Sequence, residues 1–243
     1  AVGAWDWTAE ASEGLDDPSV DQLGGNVDSA LWTDLDTANT GSGSALLDPV
    51  VLTTPTSGGG KILSAVLTGG GDITVGGIVM PSVAGNFVYA ARIGSMFPAP
   101  PASGSPWTFP AEWEVQFCYW DGTNITASPD IAAGGIHGID SLYDAKLVAA
   151  HKSGNPNSFA QPSVTDAYIP TIGPAHAFDC WLERVGTTLT VWLALPGNPP
   201  VAFKSYTVTA NAGFVGLRMT NKSSIDLQAF LYAFARVSAV PGR

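Results

Sequence analysis

Three polar side chains alternate along one short stretch, Glu112, Glu114 and Gln116 in the run Glu112-Trp-Glu-Val-Gln-Phe117. In an extended chain, side chains two positions apart share a face, so these three line up opposite Trp113, Val115 and Phe117. Neighbouring carboxyl groups are the raw material of acid–base and nucleophilic chemistry, provided one is protonated while the other is ionised. The third position here is an amide, which can do neither job. The pattern therefore suits holding a polar ligand better than transforming one. Tyr119 and Trp120 follow on the same run and Trp192 lies on a later one. Such rings can pack against the face of a sugar, although core packing is the competing use for each. The candidate glycan-binding set is Glu112, Glu114, Gln116, Tyr119, Trp120 and Trp192.

Other reactive residue types form no recognisable constellation. His137, His151 and His176 lack metal-ligand spacing and read as ordinary polar contacts. Asp16-Asp17 and Asp34-Leu-Asp36 could supply oxygens to calcium, but no complete EF-hand loop surrounds them. No cofactor is expected, and calcium has no motif behind it. Gly41-Ser-Gly-Ser44 is not the strained elbow of a serine hydrolase. Cys118 and Cys180 both sit in apolar runs, where a free thiol behaves as a small buried hydrophobe, and the sequence leaves open whether they pair. Asn124-Ile-Thr126 and Asn221-Lys-Ser223 match the glycosylation sequon, a pattern that arises easily by chance.

Charge narrows the partners. Only 13% of the 243 residues are charged, with a net −11, and the ten basic residues are scattered. Such a chain is poorly equipped to neutralise a phosphate backbone, so nucleic acid is not an expected partner. No apolar run reaches the length that spans a bilayer, and no membrane insertion is expected. The opening Ala1-Val-Gly-Ala-Trp-Asp6 has neither the basic nor the apolar region of a signal peptide. Residues 1–45 hold nine acidic residues and no basic one, together with Trp5, Trp7 and Trp32. Tryptophans bury large apolar areas, so this stretch reads as an arm that packs on its own domain or on a neighbouring subunit.

The elements that must carry these residues are strands. Hydrophobic residues make up 45% of the chain, while Gly 28 and Pro 18 punctuate short apolar runs. Strands are expected over 46–53, 61–67, 73–80, 87–93, 112–120, 145–151, 167–169, 178–184, 187–195, 201–208, 213–219 and 225–237. A tight hairpin is expected at Asp121-Gly122 and another at Val185-Gly186. Residues 128–140 read as turn-rich. In the last strand Leu227, Ala229, Leu231, Ala233 and Ala235 should share one face, with Phe230, Tyr232 and Phe234 on the other. About twelve strands exceed what one open sheet carries comfortably, so two packed sheets are expected.

The run Phe178-Asp-Cys-Trp-Leu-Glu-Arg-Val-Gly-Thr-Thr-Leu-Thr-Val-Trp-Leu193, followed by Phe214-Val-Gly-Leu-Arg-Met219, resembles the closing strands of concanavalin-like (laminin G-like) jelly rolls. The resemblance spans roughly residues 46–238. It implies an all-β, two-sheet antiparallel jelly-roll sandwich over residues 46–243, preceded by the arm of residues 1–45. That family includes lectins, glycosidases and accessory domains of bacteriophage tails and capsids. Its laminarinase-like glycosidases carry Glu-x-Asp-x-(x)-Glu on one strand, and a retaining pair must stand about 5–5.5 Å apart. Here Glu114 replaces the aspartate and Gln116 the final glutamate, so no turnover is expected. The missing signal-peptide pattern, the low charge with abundant Ala, Gly and Pro, and the arm suggest a non-enzymatic virion protein that resembles a phage minor tail or capsid decoration subunit. It would assemble with itself and other virion proteins and display its jelly roll toward a host-surface glycan. The alternative is an extracellular carbohydrate-binding module or degenerate glycoside hydrolase.

Overall fold

In the computed structural model of the chain, the described residues are 33–34, 50–53, 61–67, 74–96, 113–121, 130–138, 146–152, 165–168, 175–209, 212–221 and 226–243. They contain strands and turns and no helix. The strands are β1 (Thr33–Asp34), β2 (Val50–Thr53), β3 (Lys61–Leu67), β4 (Thr74–Ala84), β5 (Phe87–Met96), β6 (Trp113–Asp121) and β7 (Asp130–Gly138). They continue with β8 (Lys146–Lys152), β9 (Thr165–Tyr168), β10 (Ala175–Val185), β11 (Thr188–Ala194), β12 (Val201–Thr207), β13 (Ala212–Asn221) and β14 (Leu227–Val237). They form two seven-stranded sheets, ordered β1-β4-β13-β6-β7-β8-β9 and β12-β11-β10-β5-β14-β3-β2. All pairings described are antiparallel. The architecture is the expected jelly-roll sandwich. Within residues 1–45, Thr33 and Asp34 pair with Val79 and Ile78 of β4 in the same chain; Trp5, Trp7 and Trp32 lie outside the described residues.

The two sheets meet over an apolar layer. From β6 it takes Trp113, Val115, Phe117 and Tyr119; from β10 and β11 it takes Phe178, Cys180, Leu182, Leu189, Val191 and Leu193. Period-two alternation delivers these side chains to one face of each strand, and the burial of large apolar side chains is the main stabilising term. Tyr89 stacks on Phe234 with ring centroids 5.5 Å apart, and Phe117 meets Phe234 edge-on at 5.8 Å, tying β5, β14 and β6 together.

Four expectations about strands and turns need correction. Residues 128–140 are not mainly turn, because Asp130–Gly138 forms β7, paired with β6 and β8 along its length. The misleading signal is Gly134-Gly135. A β-carbon on Gly134 would lie 2.5 Å from Val191 Cγ1, and one on Gly135 would lie 2.2 Å from the Val115 carbonyl oxygen. These glycines mark close approach within a sandwich, a use of glycine that looks like a turn in sequence. Second, β6 and β7 pair up to Asp121 and Asp130, so the connection spans residues 122–129 rather than a two-residue turn at Asp121-Gly122. Third, the pairing of β14 with β5 shifts between Leu231 and Ala233. This bulge exchanges the faces: Leu227, Ala229 and Leu231 point into the core before it, and Phe234 points into the core after it. The β10–β11 turn falls one residue later than expected, with Gly186 at φ 60° and Val185 opposite Thr188.

Tyr119 is in the core, not on a binding face. Its hydroxyl accepts a hydrogen bond from Arg184 Nη1 at 2.8 Å, and the Arg184 guanidinium sits 5.7 Å from the ring centroid. Burial pushes the phenol up to about 12, opposed by the nearby Arg184 charge.

Two outcomes are expected. Gly135→Ala should lower unfolding free energy by about 3 kcal/mol, as overpacking against backbone atoms does; a denaturant midpoint equal to that of the parent would contradict this packing. The Tyr119 pKa is raised above its ordinary value near 10, so its contribution to stability is complete below that pH and lost as pH rises toward about 12. Tyr119→Phe should flatten that alkaline loss in pH-dependent unfolding.

Candidate functional site

The face of the first sheet turned away from the sandwich core carries the polar file expected from the sequence. Along β6, Glu114, Gln116, Cys118 and Trp120 alternate with the core-facing residues. The strand register places Thr220 of β13 and His137 of β7 opposite Glu114, with Arg218 and Gly135 opposite Gln116. Glu114 Oε2 accepts hydrogen bonds from Arg218 Nη1 at 2.9 Å and Thr220 Oγ1 at 2.9 Å. The same Arg218 nitrogen also donates to Gln116 Oε1 at 3.0 Å. Further along, Trp120 packs with Cys118, Ile131, Ala133 and the half-buried Phe214 in a small apolar cluster.

This face is shut off from solvent. Glu114 and Gln116 are 0% exposed, Arg218 1% and His137 6%. Desolvating a carboxylate and a guanidinium is costly, and it is offset only by close pairing and additional hydrogen bonds, which Thr220 and Gln116 contribute. Three buried nitrogens on this face have no hydrogen-bond partner: Gln116 Nε2, Trp120 Nε1 and His137 Nε2. An unmade hydrogen bond of this kind costs about 1–3 kcal/mol.

The six candidate residues do not form one cluster. Glu114, Gln116 and Trp120 share this face. Tyr119 points the opposite way, into the core. Trp192 belongs to the other sheet, where its Nε1 donates to Glu183 Oε2 at 3.1 Å and the Arg243 guanidinium lies 5.7 Å from its ring centroid. Glu112 lies outside the described residues. The sequence reading missed Arg218 and Thr220, whose role depends on cross-strand register. It took His137 for an ordinary polar contact, since the residue lacks metal-ligand spacing and no strand was expected there. The available signal was Arg218 itself, one cation between Leu217 and Met219 in an apolar strand. Among the described residues, no group of three or more His, Cys, Asp or Glu side chains is placed to hold a metal ion.

Chemically, the arrangement offers a carboxylate held by a cation, a carboxamide beside it and an imidazole across the strand. Glu114 is already engaged by Arg218, and its neighbour on this face is an amide rather than a second acid.

Breaking the pair should be expensive. Arg218→Met leaves the Glu114 charge buried without its cation and should cost about 3–5 kcal/mol. The double variant Arg218→Met, Glu114→Leu should recover most of that loss. Chemical unfolding of the four proteins in the cycle checks this, and additive losses would contradict a direct pair.

No protein-family model matches the chain, and no curated protein matches it. Solved structures do. The Bacteroides ovatus mixed linkage glucan GH16 protein in complex with a G4G4G3G product is 12% identical, covering 89% of this chain and 98% of its own, with a TM-score of 0.54. A glycoside hydrolase family 16 endo-glucanase from Bacteroides ovatus is 11% identical over 89% and 98% of the two chains, at 0.53. A Lotus tetragonolobus seed lectin is 11% identical over 88% and 100%, at 0.45. The likeness to the two hydrolases is one of fold, and it agrees with the two-sheet antiparallel jelly-roll sandwich described above.

Proposed function

We propose that this chain is a carbohydrate-binding jelly roll that holds a glycan without cleaving it. The observation that carries the reading is the polar file on the outward face of β6, β7 and β13. There Gln116, His137 and Trp120 present nitrogens with no hydrogen-bond partner, and sugar hydroxyls both donate and accept such bonds. The fold likeness supports the ligand class, since one neighbour is described with a mixed-linkage glucan product. Turnover is not expected, because Glu114 is engaged by Arg218 and Thr220 and Gln116 is an amide where an acid–base pair would need a carboxyl group.

Because these groups are buried, a sugar can reach them only when the face opens. Association should therefore be slower than ordinary docking rates of about 10⁵–10⁷ M⁻¹s⁻¹. The reading of the chain as a virion tail or decoration subunit rests on its composition and on the acidic arm. The glycan-binding reading has the sheet geometry behind it as well, and is the one adopted.

Soluble mixed-linkage glucan is the first probe, with binding followed by calorimetry and cleavage by release of reducing ends. Binding without release is expected, weakened about tenfold or more in Gln116→Ala through loss of one hydrogen-bonding group. Reducing-end release that disappears in Glu114→Gln would overturn the non-catalytic reading. Failure to bind this glucan or any member of a glycan array would overturn the binding one.

A further inference from the structure

The second sheet has a polar pocket at one end of three adjacent strands. It is an open cavity of about 230 Å³ between Asn86 just ahead of β5, the end of β10 at Glu183 and Arg184, and the end of β14 at Arg236. Arg184 is paired across from Phe87 and Arg236 across from Tyr89, so the two arginines come from strands on either side of β5.

Each wall is fixed. Arg184 Nε donates to the Gly186 carbonyl at 3.0 Å and its Nη1 to the Tyr119 hydroxyl at 2.8 Å, so this guanidinium is held in place. The Gly186 amide donates to Asn86 Oδ1 at 2.8 Å, tying the β10–β11 turn to the turn that opens β5. Arg236 is exposed and lies over the Tyr89 ring at 5.9 Å, and no described carboxylate pairs with it. The carboxylate in the wall, Glu183, is already matched, because it forms an ion pair with Arg243 and accepts the Trp192 indole N–H. The pocket is therefore cationic in a chain of net charge −11, with three of its ten basic residues gathered at this corner.

The geometry points to a binding site for a small carboxylate at this corner, with Arg236 as the principal contact. The guanidinium fork matches a carboxylate with two parallel hydrogen bonds, whereas a neutral sugar offers it no charge. The cavity is smaller than the roughly 300–1,000 Å³ of drug-sized pockets, so the ligand body is about one sugar unit, and a hexuronate combines that size with the required charge. This site lies on the opposite sheet from the Glu114 file and does not depend on it.

The experiment is an amide and arginine side-chain NMR titration of the full chain with glucuronate, and in parallel with glucose and inorganic phosphate. Glucuronate should shift the Asn86, Gly186 and Arg236 resonances saturably. Arg236→Ala should raise Kd about tenfold or more, the loss expected for charge-assisted hydrogen bonds, and Arg236→Lys should restore only part of it. Arg236 is exposed, so unchanged thermal unfolding of both variants keeps the comparison clean. The site would be refuted by glucose acting as well as glucuronate, by phosphate binding where glucuronate does not, by an unchanged Kd in Arg236→Ala, or by no shifts with millimolar glucuronate.

Discussion

Strand β6 has no wet side. All of its residues from Trp113 to Asp121 are buried, and a strand covered on both faces must satisfy every polar group it carries from within the protein. The core face asks for little, since Val115 and Phe117 are wholly apolar and the Tyr119 hydroxyl is met by Arg184. The other face brings a carboxylate and a carboxamide, and Arg218 and Thr220 from β13 answer Glu114 Oε2 and Gln116 Oε1 while Gln116 Nε2 is left over. At the end of the strand Asp121 is answered by Thr209, whose amide donates at 2.6 Å and hydroxyl at 3.1 Å. Register follows from this. A slip of one residue between β6 and β13 would turn Glu114 into the apolar layer and set Arg218 opposite a hydrophobic side chain, so both faces oppose it together.

Cations are scarce in this chain, and the ones described in ion pairs are arginines. Arg218 meets Glu114, Arg243 meets Glu183, and Arg92 meets Asp179 through two parallel bonds of 2.7 and 2.8 Å. The Asp179 hydrogen bond raises the Arg92 pKa further above its already high ordinary value. A planar fork can hold both oxygens of one carboxylate at once, as Arg92 does with Asp179 through Nε and Nη2. A lysine would give up that geometry.

Much of the sandwich is readable in the sequence because its strands obey period two and are bounded by glycine and proline. Lys61–Leu67 falls where expected, and Trp113, Val115 and Phe117 do share the buried face that their spacing implies. The companion face was harder. Glu114 and Gln116 look like solvated positions, because sequence alone does not tell a polar face that meets water from one that meets an arginine on another strand. Glycine misleads in the same way at Gly134-Gly135, where the missing side chain serves packing rather than turning. The exchange of faces in β14 is invisible for a different reason. A bulge depends on which partner residue each position meets, and nothing in the composition of Leu231-Tyr-Ala-Phe234 announces it.

The two thiols occupy separate compartments of this architecture. Cys118 lies among the residues on the outward side of the first sheet and Cys180 lies between the sheets. Both are buried and neither forms a disulfide, and burial holds the Cys180 thiol well above its ordinary pKa. A reagent that needs a thiolate can therefore attack each cysteine only when its own compartment opens. Uncovering of the outward face would release Cys118 alone, whereas parting of the two sheets would release Cys180. The chain thus contains a pair of built-in chemical clocks, one for each kind of opening.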